Sequence, residues 1–262
     1  MKYLGSKSRI VKYILPYIQG VIIEKGIITY VEPFCGGANV IDKVNCINKL
    51  AFDKNEYLIA LLDGVANKGF VPYESVDKVL YDQARNAYNN RTEDFSKVEL
   101  GCIGFLASYN GRFFDGGYAK PGYEKTKTGP RYRDYYAESK QNLLKQAKDL
   151  EGVTFVCSDY ETVLDSFEEY DDLKHTLFYC DPPYENTKQY ITSKGFDHEK
   201  FWENMRRLSE KTYVLISEEH APDDFMCIWD KAVSRSVKAQ AKSVSSEKLF
   251  VYSKGLLRDI NI

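Results

Sequence analysis

Apolar and polar positions along this chain alternate between two rhythms. Short, almost continuous apolar or β-branched runs at 28–34, 49–53, 154–158, 176–181, 212–218, 226–232 and 247–253 predict strands. The run TYVLI at 212–216 has no polar alternation, the pattern of a strand covered on both faces. Between these runs, apolar residues recur at helical spacing over 38–48, 55–68, 134–150, 160–169 and 197–211. Strand and helix in alternation predict an α/β fold with a doubly wound sheet.

The alternation stops between 61 and 150. That stretch reads as helical at first and then becomes SYNGRFFDGGYAKPGYEKTKTGPRYRDYY, rich in glycine, tyrosine and basic residues. Long connections without their own structure are uncommon in compact domains and usually carry function. Its GG, PG and TGP punctuation predicts a hairpin or loop. We therefore expect a catalytic domain in two parts, 1–60 and 151–262, around a mainly helical inserted region at 61–150.

Charge modifies this picture locally. The 262-residue chain has a net charge of −2, which gives no global hint of a polyanionic partner. Yet 112–148 carries nine Lys/Arg against four Asp/Glu, and 231–258 carries seven against one. Basic faces of this kind suit nucleic acid, although charged stretches are more often plain solvated surface. The six cysteines form no C-x-x-C pair, and three histidines make no metal-like cluster. There is no apolar run of ~18 residues and no apolar leader at the N-terminus. These features predict a cytoplasmic protein with no structural metal and no membrane anchor.

Two constellations carry candidate chemistry. In ITYVEPFCGGANVIDKV, a strand runs into Phe34, Gly36, Gly37 and Ala38 before a predicted helix. Small residues there admit a ligand close to the backbone, and a helix N-terminus would offer free N–H groups. The next strand ends in Asp53, the position from which an acid holds a ribose hydroxyl in nucleoside-binding α/β folds. The glycine spacing is not G-x-G-x-x-G, so a ligand without a pyrophosphate fits better. The second constellation is FYCDPPY, with Asp181 at a strand end followed by Pro182, Pro183 and Tyr184. Two prolines set two φ angles and remove two donors. Asp181 and a neighbouring carbonyl then form an acceptor pair suited to an amino group, beside an aromatic face.

In order, KYLGSK, EPFCGGANV, AFDKN, CSDYETV and DPPYENTKQY resemble the Dam-type DNA adenine-N6 methyltransferases. The likeness extends loosely through VLISEEHAPDDF and VSSEKLFVYSKG and leaves out 61–150. It implies a Rossmann-like S-adenosylmethionine-dependent methyltransferase sheet with an inserted DNA-recognition region. By this resemblance Tyr3, Lys7, Phe34, Gly36, Gly37, Asp53, Asp159, Tyr160 and Asp181 would contact S-adenosyl-L-methionine. Asp181, Pro182 and Tyr184 would hold an adenine flipped out of double-stranded DNA. Tyr109, Asn110, Arg112, Lys120, Arg131 and Arg133 combine base-reading and phosphate-neutralising side chains for the DNA. Ala38 stands where the family often has a third glycine. Rival readings keep the cofactor but change the substrate to RNA adenine or a protein glutamine amide, or make the chain a catalytically inactive DNA-binding relative. The amide enzymes typically carry Asn in place of Asp181.

Overall fold

The computed structural model describes residues 1–126, 128–169, 173–184, 195–237 and 241–259, in two units. One comprises Met1–Arg9, Gly36–Lys43 and Asn55–Cys157; the other comprises Ile10–Cys35, Val44–Lys54 and the chain from Ser158 onward. The tail of the second motif at 185–190, ENTKQY, lies outside the described residues.

The second unit is built on a sheet ordered β2–β1–β6–β7–β9–β8. Its strands are β1 (Thr29–Glu32), β2 (Asn48–Asp53), β6 (Thr176–Cys180), β7 (Tyr213–Glu218), β8 (Phe225–Val237) and β9 (Ala241–Tyr252). The first four are parallel; β9 runs antiparallel to both β7 and β8. All five positions of β6 are buried, which is why its sequence TLFYC shows no alternation. On one face Phe178, Cys180, Val214 and Ile216 meet Val163 and Leu164 of α6 (Tyr160–Glu168) and Phe201, Met205 and Leu208 of α7 (His198–Lys211). Each fully buried large apolar side chain contributes about 1.5–3 kcal/mol, so this layer is a substantial source of the unit's stability. Asp159 and Asp197 start the two helices by accepting from Glu161 N at 3.1 Å and Lys200 N at 3.0 Å.

A helix that the pattern did not predict, α1 (Val11–Glu24), precedes β1. Pro16 and Gly20 interrupt its sequence as helix breakers would. Ile14, Ile18, Val21 and Ile22 nonetheless line up on one buried face, and that burial outweighs the lost hydrogen bond.

The first unit is mostly helical: α2 (Glu56–Ala66), α3 (Lys78–Asn90), α4 (Lys97–Leu106) and α5 (Tyr135–Leu150). It also holds an antiparallel hairpin of β3 (Gly122–Thr126) and β4 (Gly129–Arg133), and the short strand β5 (Thr154–Cys157). Capping is consistent throughout. Asn55 accepts from Tyr57 N and Leu58 N at 3.1 Å, Ser96 and Glu99 form a reciprocal capping box, and Asp134 accepts from Ala137 N at 3.0 Å. Of the hairpin or loop expected inside 108–136, the structure shows a hairpin.

One predicted element is absent. Residues 38–48 do not form a helix; the segment after the glycines is a series of turns. Gly36 (φ 48°) and Ala38 (φ 53°) both adopt left-handed backbone, which stops a right-handed helix from starting. Gln146 Nε2 then donates to the carbonyls of Gly37 (3.0 Å) and Ala38 (2.9 Å), giving them partners outside any helix. The expectation of a helix N-terminus at the glycine motif is therefore overturned.

Candidate active site

In the second unit, strand order already marks a location. The chain leaves β1 toward β2 on one side, while β6 lies on the other. This is a topological switch point, and ligands of open α/β sheets bind outside the carboxyl ends of strands there. Register shows which side chains arrive. Glu32 pairs with Ala51 and Val31 with Phe178. Counting on from those pairs places Phe34 level with both Asp53 and Asp181. Cys180 pairs with Ile216, so Asp181 is also level with Ser217 on β7. Cys35 N donates to Phe52 O at 2.8 Å and Ser158 N to Asp53 O at 3.1 Å, which ties the loops after β1 and β5 to the end of β2. Phe34, Asp53, Asp159 and Asp181 thus converge on one edge of the sheet.

Their neighbours refine the picture. Phe34 lies 5.1 Å from Tyr160, centroid to centroid, and also contacts Phe196 and Phe201. Tyr160 is buried in this aromatic cluster and its hydroxyl accepts from Asn204 at 3.5 Å. Asp159, besides capping α6, pairs with Lys54 Nζ at 3.4 Å.

Tyr184 is buried, and its ring is held at the hydroxyl. The phenol donates to Glu247 Oε2 on β9 at 2.8 Å and lies 3.3 Å from Ser217 Oγ on β7. Burial pushes the Tyr184 phenol well above its ordinary range, and the Asp181 and Glu247 carboxylates add to that shift. Tyr179 is shifted the same way, by burial first and by Asp181 next. Tyr30 is likewise raised by burial and by Glu32, whose Oε1 accepts its hydroxyl at 2.9 Å. Tyr30, Tyr179 and Tyr184 are thus held as neutral phenols beside the acidic side chains of Glu32, Asp181 and Glu247. Sequence reasoning passed over Glu32, Ser217 and Glu247. Glu32 was legible as an acid closing an apolar strand; the other two are not, because only the pairing of β7 with β9 brings them to Tyr184.

In the first unit the glycine motif lies against Tyr3. A Cβ on Gly36 would lie 2.9 Å from Tyr3 Cε1, and one on Gly37 would lie 2.8 Å from Tyr3 Cβ. The two glycines therefore seat the Tyr3 side chain, which also lies 6.0 Å from Phe105. Lys7 begins a short 3-10 turn and is only 6% exposed, a cation withdrawn from solvent.

The predicted DNA-contacting residues also fall in this unit, and they divide in two. Tyr109 and Asn110 are exposed on a 3-10 turn, Asn110 with a left-handed φ of 56°. Lys120 and Arg131 are exposed, and Arg112 is half-buried. Arg133 is committed elsewhere: its Nε donates to both Glu138 oxygens (3.1 and 3.0 Å), its Nη1 to Glu124 at 3.2 Å, and its guanidinium stacks 4.3 Å from the Tyr135 ring. Among the described residues no group of His, Cys, Asp and Glu could hold a metal ion, and no helix is long and apolar enough to cross a membrane.

A mainly parallel α/β sheet, with an acid closing β2 and Asp-Pro-Pro-Tyr following β6 at its switch point, defines the class of open α/β folds that bind ligands at the carboxyl ends of their strands. Within that class the chain belongs to the D12 class N6 adenine-specific DNA methyltransferase family, whose sequence model matches residues 3–227. It is 28% identical over 205 residues to the type II methyltransferase M.FokI of Planomicrobium okeanokoites, covering 70% of this chain and 28% of that protein. The type II methyltransferase M.MjaIII of Methanocaldococcus jannaschii is 26% identical over 205 residues, covering 70% and 68%. The retron Ec67 DNA adenine methylase of Escherichia coli is 28% identical over 176 residues, covering 63% and 58%. The match thus spans little more than a quarter of the first of these proteins.

Proposed function

We propose that this chain transfers a methyl group from S-adenosyl-L-methionine to N6 of adenine in double-stranded DNA. The observation that carries this reading is the placement of Asp181. It follows a fully buried strand at the switch point, stands level with Phe34 and Asp53, and is followed by two prolines and an anchored tyrosine. Membership of the D12 family and the relatives' names support the substrate class.

The residues present suit the cofactor. Asp53 offers a carboxylate to ribose hydroxyls, Phe34 an apolar face, and the Asp181 carboxylate a favourable field for a sulfonium. In the second unit, cofactor contacts are assigned to Phe34, Asp53, Asp159, Tyr160 and Asp181; in the first, to Tyr3, Lys7, Gly36 and Gly37. When bound, the cofactor supplies an electrophilic methyl group.

The chain's own residues do the rest. The lone pair of an exocyclic adenine nitrogen is delocalised into the ring, so the amine is a poor nucleophile. The Asp181 carboxylate and the Pro182 carbonyl accept its two N–H groups and favour a pyramidal nitrogen with a localised lone pair. As positive charge develops on nitrogen, Asp181 stabilises it electrostatically. Holding the amine in line supplies much of the remaining acceleration through orientation. An adenine inside a duplex cannot reach such a pocket, so the base is flipped out. Tyr184 receives it, and stacking returns on the order of 1–3 kcal/mol of the unstacking cost. Ser217 and Glu247 keep that ring from rotating away.

In the test, labelled methyl from S-adenosyl-L-methionine is offered to unmethylated genomic DNA, with Asp181→Ala in parallel. The expected result is N6-methyladenine that disappears in the variant. Incorporation into RNA but not DNA, or at another base position, would sink the proposal.

A further inference from the structure

Lys2 and Tyr3 lie between the glycine motif and the elements assigned to the DNA, all within the first unit. Tyr3 packs on Gly36 and Gly37, as described above. One residue earlier, the Lys2 carbonyl presses on the turn Tyr109–Gly111: a Cβ on Gly111, whose φ is 64°, would lie 2.2 Å from that oxygen. The Lys2 side chain goes to the base of the hairpin. Its Nζ is 3.5 Å from Glu138 Oε2 and 5.5 Å above the Tyr135 ring. Glu138 is the residue that grips Arg133 at the end of β4, and Tyr135 meets Tyr109 edge to face at 5.2 Å. One dipeptide therefore touches the glycine motif, the reading turn and the hairpin.

We infer that Lys2 and Gly111 are positioning residues that couple occupancy of the glycine motif to the order of the DNA-reading turn and hairpin. The inference rests on the proposed assignment of Tyr3, Gly36 and Gly37 to the cofactor. A ligand that holds Tyr3 against the glycines also holds the Lys2 carbonyl and ammonium. These in turn hold Gly111, Glu138 and, through Glu138, Arg133. Such coupling is reciprocal, so DNA on the turn tightens cofactor binding by the same factor. It also gives Arg133 a role distinct from reading DNA: it is a strut by which the hairpin is held to α5.

Amide hydrogen exchange of the whole chain, with and without S-adenosylhomocysteine, tests the coupling without needing DNA or turnover. In the wild type, cofactor product should slow exchange in 109–117 and 122–133 about fivefold, within the usual range of coupling between sites. Lys2→Ala should bind the product yet lose that distant protection, and Lys2→Arg should restore it. Gly111→Ala should lose it too, with a melting curve to show that the unit still folds. Binding with no change at 109–117 or 122–133 overturns the coupling and leaves the methyltransferase reading standing. Full protection in Lys2→Ala overturns the role of Lys2. No binding of the product at all overturns the cofactor assignment, and the coupling with it.

Discussion

The two units hold their candidate functional side chains by different physical means. In the second, Phe34, Asp53 and Asp181 stand at the ends of parallel strands, with Ser217 level with Asp181 inside β7, so the geometry follows from backbone hydrogen bonds and a packed core. In the first, Tyr109 and Asn110 occupy a turn with left-handed backbone, and the hairpin is held by surface ion pairs and ring contacts. The contrast teaches where precision is needed. On the proposed reading, moving a methyl group tolerates little displacement, which fits candidate residues placed on the most rigid scaffold available. Reading a DNA sequence tolerates, and for new specificities requires, a segment whose residues can change without disturbing the core.

The largest expected effect breaks the rigid side of this comparison. Asp181→Asn keeps the shape and removes the charge, and should lower kcat by about 10²–10³, with cofactor affinity less affected. Single-turnover methyl transfer would check it; a loss under tenfold would remove Asp181 from the charge-stabilising role. Next comes Gly37→Ala, which drives a methyl group to 2.8 Å from Tyr3 Cβ and 2.6 Å from Asn39 Nδ2. It should destabilise the first unit by about 1–3 kcal/mol and weaken cofactor binding, read by thermal melting and titration calorimetry.

Tyr184→Phe deletes the hydroxyl that donates to Glu247 and lies against Ser217 Oγ, a change worth about 1–3 kcal/mol where the partners left behind are shielded from water. If the ring's orientation matters, KM for DNA rises while cofactor binding does not; a variant kinetically equal to wild type would show that the ring is held by packing alone. The two hairpin arginines sharpen the other side. Arg131, exposed, should behave as a phosphate contact: Arg131→Ala lowers the salt dependence of DNA binding by about one counterion. Arg133→Ala should leave that slope closer to wild type and loosen the hairpin, seen as faster amide exchange over 122–133.

The smallest effect concerns pH. Cys102, buried against the Tyr136 hydroxyl, has its thiol pushed up to about 11 by burial. The folded state favours the neutral thiol, whereas the unfolded chain ionises near 9.0. Its contribution is thus intact below pH ~9 and is lost as pH rises toward ~11. Thiol labelling at pH 8 should mark exposed Cys157 and Cys227 quickly and Cys102 only on unfolding.

Much of this was legible in the sequence because the signals were local. Apolar runs announced every predicted strand, and the unbroken ones, β6 and β7, proved buried along almost their whole length. Asp53 and Asp181 were legible because a carboxylate immediately after such a run must lie at a strand's C-terminal end. Where sequence reasoning failed, a distant contact had overruled a local preference. The pattern at 38–48 is helical, but Gln146, more than a hundred residues away, takes the carbonyls of Gly37 and Ala38. Helix α1 carries two breakers and forms anyway, because its isoleucines and valine find a core.

By itself, then, the sequence determined the α/β class, the order of the strands along the chain and the chemical identity of the acceptor pair in Asp-Pro-Pro. Tertiary structure decided what those groups face. Which strand lies beside which is settled by burial and register, not by any single residue's preference. Only that pairing brings Glu247 to Tyr184 and only the chain's path around the glycines brings Tyr3 to them, since such contacts join residues that are tens of positions apart.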